Sequence, residues 1–290
     1  SAFSAEIFGR FPLVFLSPKS LSITYGNPSE RRKFFDILIS QASRLYLDYL
    51  KDLAKILKQK NALLRDYSLF RKYTPGELKN LAYSYNEKFI EISSNIIFKR
   101  LTFLNEFDKY FERNFSGLLA NDHKAHIRYY SDVFGGSDLT DHMPDLSIIK
   151  KKTEELVYSK FDEEVTRGLT LAGPQRDDYI FRLQKSKASG DEFFDLRNFA
   201  SQGEHKTFLV ALKLSEYDYL KDKKFTSPIL LLDDILSELD ESRVSKIISH
   251  LKEYGQIFLT TTDRSYYENL RDFYDDREIS IFQIDNGKII

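Results

Sequence analysis

Residues Ile229–Asp240 read ILLLDDILSELD. Four apolar residues run straight into Asp233 and Asp234, and a polar turn, Ser237-Glu238-Leu239-Asp240, follows shortly after. A continuous apolar run of this kind fits a strand buried on both faces of a parallel sheet. In such sheets ligands gather beyond the carboxyl ends of the strands. Of two carboxylates placed there, one can hold Mg²⁺, usually through water. Its neighbour can orient or deprotonate an attacking water, as in the Walker B arrangement of nucleotide hydrolases. Taken alone, the two acids could equally cap the helix that follows.

Upstream, FASQGEHKTFLVALKL moves from a polar turn into an apolar helix. A small polar residue, a glycine and a helix start form an anion site, because free backbone N–H groups and the positive helix end point outward. Ser201 adds a hydroxyl and Gly203 permits close approach, with Gln202 and Glu204 beside them. An ordinary helix cap, Ser201 with Glu204 at the third position, explains the same residues. Downstream, QIFLTTTD reads as a further strand with a polar tip at Thr261 and Thr262.

The rest of the chain divides by texture. Leu13–Leu16 predicts a short strand. Asn27, Pro28 and Glu30 predict a helix start, and apolar residues then recur at helical spacing to about Leu64. A second helix is predicted from Thr74-Pro75-Gly76-Glu77 to about Phe115, a loop over 134–145, and a third helix over 146–165. The region from Asn27 to about Val165 is thus expected to be all-helical. From Arg167 onward short strands (Leu169–Leu171, YIFRLQK and EFFDL) alternate with turns and helices. The chain closes in a hairpin around Asp285-Asn286-Gly287. Alternating strands and helices predict an α/β lobe with parallel strands.

Composition sets the outer limits. The 290 residues are 42% hydrophobic and 30% charged, with a formal net charge of -1, so nucleic-acid binding requires a local patch. Residues Gly26–Lys72 supply one: eleven basic residues stand against five acidic ones. Such a patch can meet phosphates without reading sequence; on the residues alone a solvated helix face with i,i+4 ion pairs explains it better. The absence of cysteine excludes disulfides and thiolate metal sites and suits a reducing cytosol. No run reaches the apolar length of a membrane helix, so no membrane association is expected. Asp122-His123-Lys124-Ala125-His126 would put two imidazoles one helical turn apart. No third metal ligand is evident nearby, and a surface helix end is the expectation.

One element is missing. None of the 12 glycines opens the phosphate loop G-x-x-x-x-G-K-[ST]; the only Gly-Lys pair, Gly287-Lys288, is followed by Ile289.

The order of motifs is more specific than any one of them, and it resembles the C-terminal half of an ABC-type ATPase of the Rad50/SMC group. Three blocks narrow the resemblance to the RecF family of bacterial DNA-repair proteins. They are FLSPKSLSITYGNPSERRKFFD with LKQKNALLR, then TLAGPQRDDYIF, then FASQGEHKTFLVALKLSE with LLLDDILSELDESR and TTTD. The resemblance implies an α/β ABC-ATPase-type head lobe, mostly parallel sheet with helices, and an inserted all-helical arm. On this reading residues 1–25 are a remnant of the head's N-terminal part, 26–166 the arm, and 167–290 the head's C-terminal part. Roughly the first hundred residues of the family, with the phosphate loop, would lie outside the chain.

Carried over residue by residue, Asp233 matches the Mg²⁺-side acid. Asp234 stands where many ABC ATPases have a catalytic Glu and where RecF-like proteins have Asp. Ser201, Gln202, Gly203 and Glu204 match the signature that meets nucleotide in trans, and Ser237 and Asp240 the D-loop. Thr261 and Thr262 stand where transport ATPases place a switch His. Gln175 replaces a His usual in the family. The resemblance implies ATP and Mg²⁺ as cofactors and an ATP-dependent homodimer on single- or double-stranded DNA. It also implies action with RecR and RecO in loading RecA at gaps. Arg31, Arg32, Lys58 and Lys60 are the candidate DNA contacts. Without a phosphate loop the chain alone is expected to be inactive as an ATPase. The competing expectation is a non-hydrolysing module that binds partner proteins through its helical arm. A transport ATPase fits less well, given the long helical insert.

Overall fold

The computed structural model describes residues 11–70, 72–118, 124–184, 192–237, 240–263, 270–271, 273–275 and 277–290. A short strand, β1 (Leu13–Leu16), leads into a helical turn, α1 (Ser22–Tyr25). Three helices follow: α2 (Pro28–Ala42), α3 (Arg44–Phe70) and α4 (Pro75–Leu118). Next come β2 (Lys124–Ser131), β3 (Ser137–Asp138), α5 (Leu146–Ser159) and α6 (Phe161–Arg167). The remainder holds β4 (Asp178–Gln184), β5 (Phe194–Asp195), α7 (Leu196–Phe199), α8 (Gln202–Lys224) and β6 (Ile229–Asp233). Then come α9 (Glu241–Leu251), β7 (Ile257–Thr260), β8 (Ile284–Asp285) and β9 (Lys288–Ile289).

The helix starts follow the caps in the sequence. Pro28 opens α2 behind an extended Asn27, although the Asn27 side chain makes no capping bond. Thr74 and Glu77 form a reciprocal box at α4: Glu77 N donates to Thr74 Oγ1 at 3.3 Å, and Thr74 N to Glu77 Oε2 at 2.8 Å. Leu78, Phe89, Ile92, Ile96 and Leu104 line the buried side of α4, whereas Leu81 is exposed.

The apolar run 229–232 is the middle strand of a parallel sheet ordered β1-β6-β7. Val14, Leu16, Leu230 and Leu232 point to one face and are buried, and α8 packs on β1. A second sheet, antiparallel, is ordered β3-β2-β4-β5, and β8 pairs with β9 through a turn at Asn286-Gly287. Both turn residues have positive φ, as a tight hairpin requires.

Four sequence expectations are corrected. The helix expected to run from Asn27 to Leu64 is broken at Ser43, which is extended (φ -134, ψ 109). The helix over 146–165 is two helices meeting at Lys160. Residues 169–171 form no strand, because side chains take their backbone groups. Asn61 Oδ1 accepts from Thr170 N at 2.7 Å and Glu164 Oε1 from Leu171 N at 2.8 Å. Finally, the region 26–166 is helical for most of its length but contains β2, paired with β4 from Lys124↔Gln184 to Tyr130↔Asp178. A strand from within residues 26–166 thus pairs with one from residues 167–290. The main hydrophobic core runs from Val14 through Phe107 and Tyr179 to Tyr254, and a smaller cluster of Leu63, Leu78 and Ala82 packs between α3 and α4.

Candidate functional site

Asp233 is the last residue of β6 and stands opposite Thr260, the last residue of β7. Parallel strands end at the same edge, so the sheet itself delivers the carboxylate and the hydroxyl together. Thr260 Oγ1 donates to Asp233 Oδ1 at 2.7 Å and accepts the Asp234 N–H at 3.2 Å. Asp233 is exposed. Asp234 leaves the strand with left-handed backbone, φ 48, a conformation few residues other than Gly, Asn and Asp adopt readily. That turn buries its Oδ1, which has no hydrogen-bond partner. A buried carboxylate oxygen without a donor is costly unless something else satisfies it.

The signature stretch opens α8. Its cap is a reciprocal box: Glu204 N donates to Ser201 Oγ at 3.3 Å, and Ser201 N to Glu204 Oε2 at 2.6 Å. The helix-cap explanation therefore holds for Ser201 and Glu204. Gln202 and Gly203 occupy the first turn. A methyl group on Gly203 would come within 2.1 Å of Arg243 Nη1, the tip of a flexible side chain from α9.

Lys206, one turn into α8, donates from Nζ to the Ser237 carbonyl at 2.5 Å. Ser237 Oγ in turn donates to the Asp234 carbonyl at 3.1 Å. These two bonds tie the signature helix to the turn behind the paired acids. Asp240 caps α9 by accepting from Arg243 N at 2.9 Å; Glu238 and Leu239 lie outside the described residues. His205 is buried against the edge of Tyr25, and burial lowers its pKa below the ordinary imidazole value, against a small pull from Glu204.

The structure thus gathers Asp233, Asp234 and Ser237, and links them to the Ser201–Glu204 turn. It leaves Thr261 and Thr262 just beyond β7, exposed, with Thr261 Oγ1 accepting from Asp263 N. Sequence reasoning missed Thr260, Lys206 and Arg243. Thr260 was legible as the first Thr of TTTD, the position that pairs with the strand-ending Asp.

The candidate DNA contacts separate by burial. Arg31 is 5% exposed, and its guanidinium grips both Asp178 oxygens at 2.9 and 2.8 Å. Lys60 is fully buried, with Nζ 2.8 Å from Glu164 Oε2, in contact range but poorly aligned for a hydrogen bond. Neither can reach a phosphate, because each is locked in an internal ion pair. Arg32 is half-buried, and Lys58 is exposed. Gln175 donates from Nε2 to the Ala172 carbonyl at 2.6 Å across the turn that Gly173 begins. At Gly173 φ is 114, and a Cβ would meet the Phe89 ring at 2.5 Å, so only glycine fits. His126 lies on β2 rather than a helix, and His123 lies outside the described residues. No group of three ligating side chains is found among the described residues.

A parallel sheet whose middle strand ends in paired acids, with two capped helices gathered at that edge, defines an ABC-type ATPase head carrying a large helical region. No protein-family model matches the chain. It is 35% identical over 269 residues to DNA replication and repair protein RecF of Chloroherpeton thalassium, covering 92% of this chain and 68% of that protein. It is 30% identical over 288 residues to RecF of Bacillus subtilis, covering 99% and 72%. A solved structure of the recombination mediator protein RecF-ATPrS in the RecFOR pathway superposes with a TM-score of 0.76 at 27% identity, covering 99% of this chain and 69% of that one. A RecF-ATP structure gives 0.72 at 28%, covering 90% and 65%. The chain belongs to the RecF family. It spans about two thirds of the length of the relatives it matches.

Proposed function

We propose that this chain supplies one side of a RecF-type ATP site and acts in recombinational DNA repair as an ATP-gated clamp on DNA. The observation that carries the reading is the edge of the parallel sheet. There Asp233 is exposed and held by Thr260, beside an Asp234 turned into left-handed backbone.

In this reading Asp233 would hold Mg²⁺ through water, which suits an ion that keeps several waters and needs few carboxylates. When bound, the metal neutralises charge on the phosphates. The unpartnered Oδ1 of Asp234 is the group that would orient the attacking water or take its proton. Ser201, Gln202 and Gly203 present a helix N-terminus to the terminal phosphate of a nucleotide held by a second subunit. Lys206, bonded to Ser237, would pass closure of that contact to the turn behind the acids.

DNA binding belongs to the exposed basics of α3. Lys51, Lys55 and Lys58 follow at helical spacing on its outer side and are exposed, a geometry for sequence-independent phosphate contact. RecR, RecO and RecA are the partners this reading brings from the family.

The test joins to this chain the segment of the Bacillus subtilis relative that precedes the matched region, at most 28% of that protein, since the match covers 72% of it. The fusion is expected to form an ATP-dependent dimer in sedimentation velocity and to hydrolyse ATP slowly; in the chain alone, any self-association should be indifferent to ATP and no hydrolysis should occur. Ser201→Arg should abolish the dimer, and Asp233→Ala should abolish hydrolysis. A dimer indifferent to Ser201→Arg, or Mg²⁺-dependent hydrolysis by the chain alone that Asp233→Ala removes, would overturn the assignment.

A further inference from the structure

Between α2, α3 and the turn Pro174–Arg176 lies an open cleft of ≈ 510 Å³. None of its lining residues takes part in the nucleotide reading. Ile37, Leu47, Leu50 and Leu53 give it an aliphatic floor and lip, and Arg32 and Lys33 stand over it. Asp36 is the one carboxylate lining it among the described residues, and its charge is already used. Arg100 Nη2 donates to both Asp36 oxygens at 2.9 and 3.0 Å, and the Tyr46 hydroxyl donates to Oδ1 at 2.5 Å. The uncommitted charge at the cleft is therefore positive.

One further feature is the Arg32 guanidinium. Arg32 donates Nη1 to the Asp177 carbonyl at 2.5 Å, leaving Nε and Nη2 without a partner among the described residues. Burial and the nearby Arg100 cation act against the Arg32 charge, the Asp178, Asp177 and Asp36 carboxylates favour it, and the net shift is downward; an incoming anion would oppose that shift.

We propose that this cleft receives a short segment of a partner protein in which an acidic side chain stands beside a large apolar one. The carboxylate meets Arg32 and Lys33, and the apolar side chain rests on the leucine floor. Small concave sites with an apolar lining and a few convergent polar groups bind this way. A nucleic-acid strand is the weaker occupant, because no aromatic ring lines the cleft for a base to stack on.

The experiment is selection of random twelve-residue displayed peptides on the purified chain, with counter-selection on the Lys33→Glu/Ile37→Asp double variant. Both residues are exposed, so the variant should unfold at the same urea midpoint as wild type. Enriched peptides are expected to carry Asp or Glu within two positions of Leu, Ile, Met or Phe. Their synthetic copies should lose at least about tenfold in affinity by fluorescence anisotropy on the variant, which is 1.4 kcal/mol. Lysine-for-acid copies should not bind. Failure to enrich any peptide over the variant, or equal binding to both proteins, would overturn the proposal. So would a single-stranded oligonucleotide that binds the chain, is weakened by the double variant and displaces no peptide.

Discussion

Lys60 shows how far a single side chain can depart from its apparent role in the sequence. By position it is one more basic residue of a positive helix. In the fold it is fully buried beside an equally buried Glu164, with its Nζ 5.1 Å from the centre of the Phe89 ring. Burial lowers its pKa, and Glu164 opposes that shift. Removing one partner of such a pair strands a charge, whereas removing both charges does not. Lys60→Met is therefore expected to cost about 3–5 kcal/mol in urea unfolding. The double variant Lys60→Met/Glu164→Gln should recover most of the loss, because Gln keeps an acceptor for Leu171 N. In a salt titration of DNA binding the double variant should match wild type, whereas Lys58→Glu should bind more weakly. If Lys60→Met left stability unchanged and weakened DNA binding, the internal assignment would be wrong.

At the scale of elements, α4 is tied to both helices of the candidate site by one buried amide. Asn114 Nδ2 donates to the Tyr110 carbonyl at 3.0 Å, Ser215 Oγ at 3.3 Å and Asp218 Oδ2 at 2.7 Å. Its Oδ1 accepts from Tyr254 OH at 2.8 Å and lies 2.9 Å from His250 Nε2. Ser215 and Asp218 belong to α8, which begins at the signature. His250 belongs to α9, which begins at Asp240. Asn114→Ala should therefore cost about 2–4 kcal/mol, since several buried partners lose their bond at once. It should also speed hydrogen exchange across 241–251 while leaving 78–92 unchanged. Uniform acceleration over the whole chain would mean a global effect and no specific tie.

Much of this level was legible in the sequence. The Thr74/Glu77 and Ser201/Glu204 boxes, the apolar run into two acids and the Asn286-Gly287 turn all act through neighbours a few residues away. What escaped was non-local or lacked a breaker. Ser43 ends a helix without proline or glycine, so the apolar period hides the break. In β2 the alternation Ala125, Ile127, Tyr129 was a strand signal, and these residues are buried. The long helix before it masks that signal, because it makes the helical region look continuous. Residues 169–171 carry a strand-like pattern, and their acceptors are side chains that the pattern does not reveal: Asn61, 109 positions from Thr170, and Glu164 in the preceding helix. The positive count over 26–72 could not show that Arg31 and Lys60 are turned inward, since their carboxylate partners lie more than a hundred positions away. The site shares this limit: Asp233 was legible, but Thr260, which holds it, becomes its neighbour only once the strands pair.

For the whole molecule, the parallel sheet leaves one face open. Register places Phe15, Leu231 and Phe258 side by side across β1, β6 and β7. Phe15 is 47% and Phe258 53% exposed, and Leu13 on the same face is 41% exposed. Parallel sheets are almost always covered on both faces, and a contiguous apolar patch on a monomer marks a surface that packs against something. In the chain alone the cover nearest to hand is another copy. Reversible self-association at micromolar concentration is therefore expected in sedimentation velocity. Phe15→Lys/Phe258→Lys should weaken it by about tenfold or more, or 1.4 kcal/mol. The same pair should change the unfolding midpoint little, because exposed substitutions usually shift stability by about 0.5 kcal/mol or less. Joining the segment of the Bacillus subtilis relative that precedes the matched region should suppress association without either substitution if that segment covers the sheet. Association that persists in both the double variant and the fusion would place the sticky surface elsewhere. The exposed apolar hairpin at Ile284 and Ile289 would then be the next surface to charge.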